Sequence, residues 1–185
     1  ATQRLGSESA AAVVIDVTNG DIVAISSSPV FDPNMFVRGI SGPDYRALMN
    51  HDHRPLADKT VQGAYPPGST FKMVTLLAGL ESGVINGGSR FFCPGYIQLA
   101  GRRFHCWSRG GHGTVDLVGA LKHSCDTFFY DLAKRIGIDR IHDMAKRFGL
   151  GQRLQLDLPG ERPGLIPSRD WKQANLGKSW TQGES

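Results

Sequence analysis

The sequence predicts an α+β fold in which a β-hairpin precedes a largely helical region built around one buried helix. Two β-rich runs, residues 11–18 and 21–27, are joined by Asn19-Gly20, a dipeptide that strongly favours a tight hairpin turn. A later run, residues 72–80, has the length of a helix and is apolar on nearly every face, which is typical of a fully buried helix. The sequence therefore combines a small antiparallel sheet with a buried helical subdomain.

Three further segments place apolar side chains at helical spacing. The first is capped by Thr114, and the second extends from about Thr127 to a stop at Gly137. The third covers residues 139–148. Gly and Pro interrupt the pattern elsewhere, so loops with little regular structure are expected. These loops cover residues 35–64, 84–113 and 150 onward.

The composition is ordinary for a globular protein and excludes some functions. The 185 residues suffice for one domain with a core, with 40% hydrophobic and 21% charged residues. The net charge is +4, but no run of Lys and Arg exceeds two residues, so a nucleic-acid-binding role has little support. The sequence has no signal peptide and no apolar stretch of about 18 residues or more. Any membrane anchor is expected to lie outside this chain.

A candidate nucleophile lies at the start of the buried helix, where residues 65–72 read Y-P-P-G-S-T-F-K. The stiff Pro-Pro-Gly entry places Ser69 in the first helical turn, and Lys72 follows three residues on, on the same face. The unpaired N–H groups and partial positive charge of a helix N-terminus favour a developing oxyanion. A lysine beside the hydroxyl can act as its base. The alternative is that Ser69 caps the helix and Lys72 is solvated, but a lysine in the first turn of a core helix calls for a reason.

The motif Y-P-P-G-S-T-F-K resembles the active-site serine motif of the penicillin-binding proteins, the serine D,D-transpeptidases that cross-link peptidoglycan. Residues 28–34, S-P-V-F-D-P-N, also resemble the segment that follows a hairpin at the start of the family's catalytic domain. The resemblance covers about residues 11–185. It implies a serine β-lactamase-like transpeptidase fold, of which this chain holds the hairpin and the buried helical subdomain but an incomplete sheet. It also implies that Ser69 is the nucleophile and Lys72 the base.

A second family motif, S-x-N between two helices, is matched by Ser124-Cys125-Asp126. In the family the serine relays protons to the leaving amine, and the polar side chain orients the lysine and the substrate amide. Asp126 replaces the usual Asn, as in the elongation-type subgroup called penicillin-binding protein 2. A carboxylate near Lys72 favours a charged amine, so the carrier of the proton is left open. Ser124 and Asp126 could also simply cap the next helix, a role compatible with catalysis.

The three cysteines and one histidine suggest a metal site. The spacing Cys93-x12-Cys106-x5-His112-x12-Cys125 supplies a Cys₃His set of the kind that structural zinc uses, although no Cys-x-x-Cys pair is present. Bound zinc would order a Gly-rich loop and would tie that loop to the second motif through Cys125. A Cys93–Cys106 disulfide with an inert Cys125 is the alternative. His105 is the substitute ligand if His112 points away.

The resemblance sets expectations for the whole protein. The family's third motif, K-T-G, is missing, so residues 1–185 are expected to be one domain that is the first part of a transpeptidase domain, inactive by itself. The implied function is peptidoglycan cross-linking in cell elongation and shape, at the periplasmic face of the inner membrane. The implied partners are stem peptides ending in D-Ala-D-Ala, β-lactams, a membrane glycosyltransferase and elongation-complex proteins. No organic cofactor is expected.

Two other functions stay open on the sequence alone. A serine β-lactamase or β-lactam sensor shares the S-x-x-K chemistry and would differ in how long the acyl group stays on the enzyme. A non-catalytic, zinc-ordered periplasmic interaction module could retain the scaffold without the reaction. Substituting Ser69 by Ala would distinguish the non-catalytic module from the enzymes, because the cellular phenotype of a non-catalytic module would not change.

Overall fold

A computed structural model describes residues 8–184, which form two compact units. The first comprises residues 8–64 and 153–163, and the second comprises residues 65–152 and 164–184. Among residues 8–184, no helix combines the length and the apolar character that crossing a bilayer requires. Both helices and small open sheets are present, which confirms the predicted α+β class.

The first unit contains the predicted hairpin. Strand β1 (Ala10–Ile15) pairs antiparallel with β2 (Ile22–Ser28), and the register shifts at the end of β1. The prediction of a two-residue turn is wrong. The turn is longer because Asp16 and Asp21 pair through their backbones, and Gly20 adopts a φ of +85° within the loop.

Three short helices follow in the first unit, where only irregular structure was predicted. They are α1 (Asn34–Val37), α2 (Gly42–Met49) and α3 (Lys59–Gln62). The side chain of Ser41 caps α2 and that of Asp58 caps α3. Since no residue of α2 is buried, this helix carries no apolar stripe by which periodicity could reveal it.

The second unit is built around the predicted central helix. A 3₁₀ turn (Gly68–Phe71) runs directly into α4 (Lys72–Glu81), and Gly83 follows with a φ of +69°. The prediction of full burial is wrong for one face, because Met73 is 58% exposed. The buried face comprises Val74, Thr75, Leu76, Ala78 and Gly79.

Three helices pack near α4, and their positions largely confirm the periodicity. They are α5 (Leu117–Lys122), α6 (Asp126–Ile136) and α7 (Ile138–Arg147), with Gly137 between the last two at a φ of +75°. Both α6 and α7 contact α4, and Phe128 and Leu132 of α6 enter the core. The predicted Thr114 cap is wrong, because Asp116 caps α5 through its side chain.

Residues 84–113 are not the predicted loop. Strand β3 (Arg90–Cys93) pairs antiparallel with β6 (Gly113–Asp116), while β4 (Tyr96–Leu99) forms a separate hairpin with β5 (Arg102–His105). Each strand has only four residues, too few for a clear alternating pattern. These strands carry the cysteine-rich segment along one side of α6.

The last part of the second unit also holds a helix that was not predicted. Helix α8 (Arg169–Leu176) begins at a Ser168 side-chain cap and ends at Gly177, and a 3₁₀ turn (Gln182–Glu184) follows it. Lys172 of α8 is buried and donates hydrogen bonds to the carboxylate of Glu184. This ion pair joins the turn to the helix.

Candidate active site

Ser69 lies in the 3₁₀ turn that leads into α4, as the motif predicts. Gly68 adopts a φ of +57°, which favours glycine over residues with a Cβ, and it follows Pro67 directly. The Thr70 hydroxyl donates to the Pro67 carbonyl at 2.5 Å, and the Lys72 N–H donates to the Ser69 carbonyl. These contacts fix Ser69 and Lys72 one turn apart at the start of the helix.

Ser124 lies in the tight turn between α5 and α6. Its φ is +48°, an unusual value for a non-glycine residue, and two backbone hydrogen bonds hold the turn. The Ser124 N–H donates to the Leu121 carbonyl at 3.0 Å, and the Cys125 N–H donates to the Ala120 carbonyl at 2.9 Å. Because α6 packs on α4, this turn faces the start of α4. Such strained residues are common at functional sites.

A chain of hydrogen bonds joins the two serines and the lysine. The Ser124 hydroxyl donates to Ser69 Oγ at 2.9 Å, and Lys72 Nζ donates to Ser124 Oγ at 2.9 Å. Lys72 Nζ also donates to the Ser124 carbonyl at 2.9 Å. The described contacts thus connect Ser69 to Lys72 through Ser124.

Asp126 faces Lys72 rather than turning away from it. Its Oδ1 lies 2.5 Å from Lys72 Nζ, and the two side chains are only 22% and 14% exposed. Its Oδ2 accepts a hydrogen bond from the backbone N–H of Trp107 at 2.9 Å. The centroid of the Phe129 ring lies 5.5 Å from Lys72 Nζ. The structure therefore brings Ser69, Lys72, Ser124 and Asp126 into one cluster.

Beside this cluster, the four predicted metal ligands also converge. Their ligand atoms all lie within 4.8 Å of one another, and the three cysteines are buried. Cys93 ends β3, His112 immediately precedes β6, and Cys125 precedes the first residue of α6. Cys106 lies just after β5. His105, the substitute ligand, is exposed beside Tyr96 instead.

The spacing of the donor atoms fits a tetrahedral ion. His112 Nδ1 lies 3.6 Å from Cys93 Sγ and 3.5 Å from Cys106 Sγ. Ligands at ordinary zinc–sulfur and zinc–nitrogen distances would be about 3.6 Å apart. The three cysteines are unpaired thiols in the structure. A closed set of four protein ligands could therefore hold a metal here.

Two glycines allow the backbone to close around this cluster. A Cβ on Gly95 would collide with the Arg109 carbonyl, and a Cβ on Gly111 would collide with the Cys93 carbonyl. Both residues also have positive φ values, +92° and +80°. Only glycine fits this approach, which brings the segment before β4 against the segment before His112.

Thr127 supports the cluster and was not identified from the sequence. Its side chain is fully buried, and its hydroxyl donates to Cys93 Sγ at 2.9 Å. Burial alone would raise the pKa of the Cys93 thiol, but hydrogen bonds from Thr127 and from backbone N–H groups outweigh it and lower the pKa to about 6. By contrast, burial raises the pKa of Cys125 to about 11. A thiolate at Cys93 is the form that binds a metal.

Comparison with known proteins shows the family to which the chain belongs. A family model described as "Penicillin binding protein transpeptidase domain" matches residues 10–183. The chain therefore belongs to the penicillin-binding protein transpeptidase family, as the S-x-x-K resemblance predicted.

Within this family, the chain is similar to several individual proteins. The peptidoglycan D,D-transpeptidase MrdA of Escherichia coli K12 is 42% identical over 183 residues, which are 98% of this chain and 29% of that protein. A crystal structure of Pseudomonas aeruginosa PBP2 in complex with WCK 5153 has a TM-score of 0.89 and 46% identity, covering 97% of this chain and 41% of that one. A complex between PBP2 and MreC from Helicobacter pylori has a TM-score of 0.90 and 30% identity, covering 96% and 33%. The chain thus spans under a third of the length of its curated relative.

Proposed function

We propose that this chain is part of a peptidoglycan D,D-transpeptidase of the penicillin-binding protein 2 type, which acts in cell elongation and shape. The observation that carries the proposal is the hydrogen-bonded chain from Ser69 Oγ through Ser124 Oγ to Lys72 Nζ. The likeness to MrdA and to PBP2 structures supports it. The substrate would be a stem peptide ending in D-Ala-D-Ala.

In acylation, Ser69 Oγ attacks the carbonyl of the penultimate D-Ala. With Lys72 in its amine form, the two hydrogen bonds of the chain run in the reverse direction. The Ser69 proton then passes to Ser124 Oγ, while the Ser124 proton passes to Lys72 Nζ. The C–N bond to the terminal D-Ala breaks, and the relay returns the proton to the leaving amine. The backbone N–H of Ser69 at the helix start donates to the developing oxyanion.

In the second half-reaction, the amine of another stem peptide attacks the Ser69 ester. The relay takes a proton from that amine and returns one to Ser69 Oγ as the ester bond breaks, which leaves a cross-link and free enzyme. Asp126 orients Lys72 and stabilises its charged form between proton transfers. A β-lactam presents a similar carbonyl and would acylate the same hydroxyl.

Mass spectrometry of the full-length protein after treatment with a labelled penicillin tests this proposal. The expected result is a long-lived adduct on the peptide that carries Ser69, absent in Ser69→Ala. An unmodified Ser69 would contradict the proposal. Rapid loss of the label with turnover of the drug would indicate a β-lactamase instead.

We also propose that residues 1–185 are the first part of a transpeptidase domain whose K-T-G motif and remaining strands lie outside the chain. Apolar side chains on both hairpin strands support this, since Val14 is 54% and Val23 is 66% exposed. Because a lone hairpin is marginal in water, further strands would cover these side chains. The chain by itself is then expected to acylate little or not at all.

We further propose that the Cys₃His cluster holds structural zinc. The convergence of Cys93, Cys106, His112 and Cys125 supports the proposal. Zinc would cross-link the β3–β6 segment to the start of α6, and four protein ligands would leave no open position for chemistry. Elemental analysis is expected to find one zinc per chain, lost in Cys106→Ser. A Cys93–Cys106 disulfide in non-reducing peptide mapping would contradict it.

The relatives also suggest a cellular location and partner proteins. Their names describe a peptidoglycan D,D-transpeptidase and, in one solved structure, a complex with MreC. We therefore propose that the full-length protein acts at the periplasmic face of the inner membrane, with a membrane glycosyltransferase and elongation-complex proteins as partners. Cross-linking in intact cells, with Ser69→Ala as a folded but inactive control, is expected to recover these partners.

A further inference from the structure

We propose that Trp107 is a positioning residue, whose backbone and indole N–H groups fix both flanks of Ser124 in the geometry that the proton relay requires. This inference rests on the proposed transpeptidase function and adds a residue to it. Trp107 belongs to neither family motif, and it follows Cys106 directly in the sequence.

Trp107 donates two hydrogen bonds, one to each side of Ser124 in the sequence. The indole Nε1–H donates to the carbonyl of His123 at 2.9 Å, on the residue before Ser124. The backbone N–H donates to Asp126 Oδ2 at 2.9 Å, two residues after Ser124. One residue therefore holds the main chain on one side of Ser124 and the carboxylate on the other.

Ser124 needs such support because its conformation is strained. Its φ of +48° is unfavourable for a residue with a Cβ, so surrounding contacts must hold it. Lys72, at the start of α4, donates hydrogen bonds to the carbonyl and to the hydroxyl of Ser124. Trp107 contacts the turn from the other side, from the segment that follows β5. Since the 2.9 Å contact with Ser69 depends on this turn, relaxation of the turn would break the relay.

The position of Trp107 also connects the turn to the Cys₃His cluster. Its ring lies edge-to-face with His112, with 5.2 Å between the centroids, and Cys106 is its neighbour in the chain. Any ordering of the cysteine-rich segment therefore acts on Asp126 and His123 through Trp107. Trp107 as a whole is nevertheless 66% exposed, so its role is not that of a core residue.

Trp107→Phe in the full-length protein isolates the indole contact. An aromatic ring, although a smaller one, and the backbone N–H remain, while the N–H donor to the His123 carbonyl is lost. We expect the acylation rate constant with a fluorescent penicillin to fall about tenfold, because small displacements of reacting groups are costly. The dissociation constant of the non-covalent complex is expected to stay unchanged. Trp171→Phe, on α8 of the same unit, is the matched control and is expected to match the wild type.

Two further measurements and a second substitution at Trp107 make the result decisive. Zinc content and the unfolding midpoint are determined for each variant, and rates are expressed per folded molecule. Replacement of Trp107 by benzothienylalanine, which has the shape of Trp without its N–H, is expected to reproduce the Phe defect even if Phe itself disturbs folding. An acylation rate constant equal to that of the wild type in both variants would overturn the inference. Failure of the wild type to acylate would instead reject the proposed function.

Discussion

Asp126 Oδ1 lies 2.5 Å from Lys72 Nζ, while Oδ2 of the same carboxylate accepts the N–H of Trp107. One carboxylate thus links the amine of the S-x-x-K motif to the segment that follows Cys106. An amide at this position could accept from Lys72 with its oxygen but would then present a donor to the Trp107 N–H. The Asp at this position therefore does more than replace the family's usual Asn, because it accepts hydrogen bonds on both sides.

Asp126→Asn is expected to weaken one of these two contacts. Whichever way the amide is oriented, one donor faces another donor, so we expect acylation to slow about tenfold or more. The measurement is the acylation rate constant with a fluorescent penicillin. Asp131→Asn, at a half-buried position of the same helix where the carboxylate pairs with Arg135, is the control. Equal rates for Asp126→Asn and the wild type would show that the carboxylate does not orient the site.

Lys72→Arg separates charge from proton transfer. Arginine keeps the positive charge beside Asp126 but cannot accept a proton at neutral pH. We expect acylation to fall by about 10²–10⁴-fold, the range typical of general base catalysis. Stopped-flow measurement of labelled penicillin binding gives the rate, and Lys122→Arg at the end of α5 is the control. A rate within a few-fold of the wild type would exclude Lys72 as the base.

Two substitutions of Ser124 distinguish its effect on stability from its effect on acylation. Ser124→Ala keeps the Cβ at a φ of +48°, whereas Ser124→Gly removes it. We expect Ser124→Gly to be about 1 kcal/mol more stable to unfolding than Ser124→Ala, the cost of a left-handed conformation. Both variants lack the hydroxyl and are expected to acylate about 10²-fold or more slowly than the wild type. Urea unfolding and penicillin acylation measure the two quantities, and a Gly variant that acylates normally would refute the relay.

Thr127 is expected to control the affinity for the proposed zinc ion rather than the rate of acylation. Thr127→Val keeps the shape but removes the hydroxyl that donates to Cys93 Sγ. Since hydrogen bonds to metal ligands are worth about 10–100-fold in affinity, we expect zinc to be lost to a chelator at correspondingly lower concentration. Thr127→Ser retains a hydroxyl and is expected to behave like the wild type. Identical chelator titrations for Val and Ser would remove Thr127 from the metal site.

The Lys172–Glu184 pair is expected to give a stability that depends on pH. Hydrogen bonds from Lys172 and from Thr181 lower the pKa of Glu184 to about 2. Because the folded pKa lies below the unfolded one, the stabilisation is present above about pH 4.5 and is lost as the pH falls towards 2. The difference in unfolding free energy between the wild type and Glu184→Gln is expected to shrink over this interval. A constant difference from pH 7 to pH 2 would show that the pair adds no stability.

Local sequence predicted the parts of the site that depend on neighbours in the chain. Ser69 and Lys72 are one turn apart, and Gly68 before them adopts the positive φ that this entry requires. Ser124 and Asp126 were found because their motif is equally compact. These residues lie 55 and 54 positions from their partners Ser69 and Lys72, a distance that only family resemblance could bridge.

What the sequence did not predict depends on contacts between distant segments. Trp107 donates its backbone N–H to Asp126 and its indole N–H to the backbone carbonyl of His123. These partners lie 19 and 16 positions away in the sequence, so no local motif marks Trp107. Strands β3–β6 form where Gly95 and Gly111 let two backbone segments meet, and a four-residue strand carries too little periodicity to detect. Helix α8 depends on its Ser168 cap and on one buried lysine rather than on an apolar stripe.

The proposed transpeptidase mechanism depends most on the connection of Ser69 to Lys72 through the Ser124 hydroxyl. The most direct measurement compares peptide-mapped penicillin labelling of Ser69, followed over time, in the full-length wild type and in Ser124→Ala. The mechanism predicts rapid labelling of Ser69 in the wild type and labelling at least about 10²-fold slower in Ser124→Ala. Labelling of Ser69 at the same rate in both proteins would contradict it.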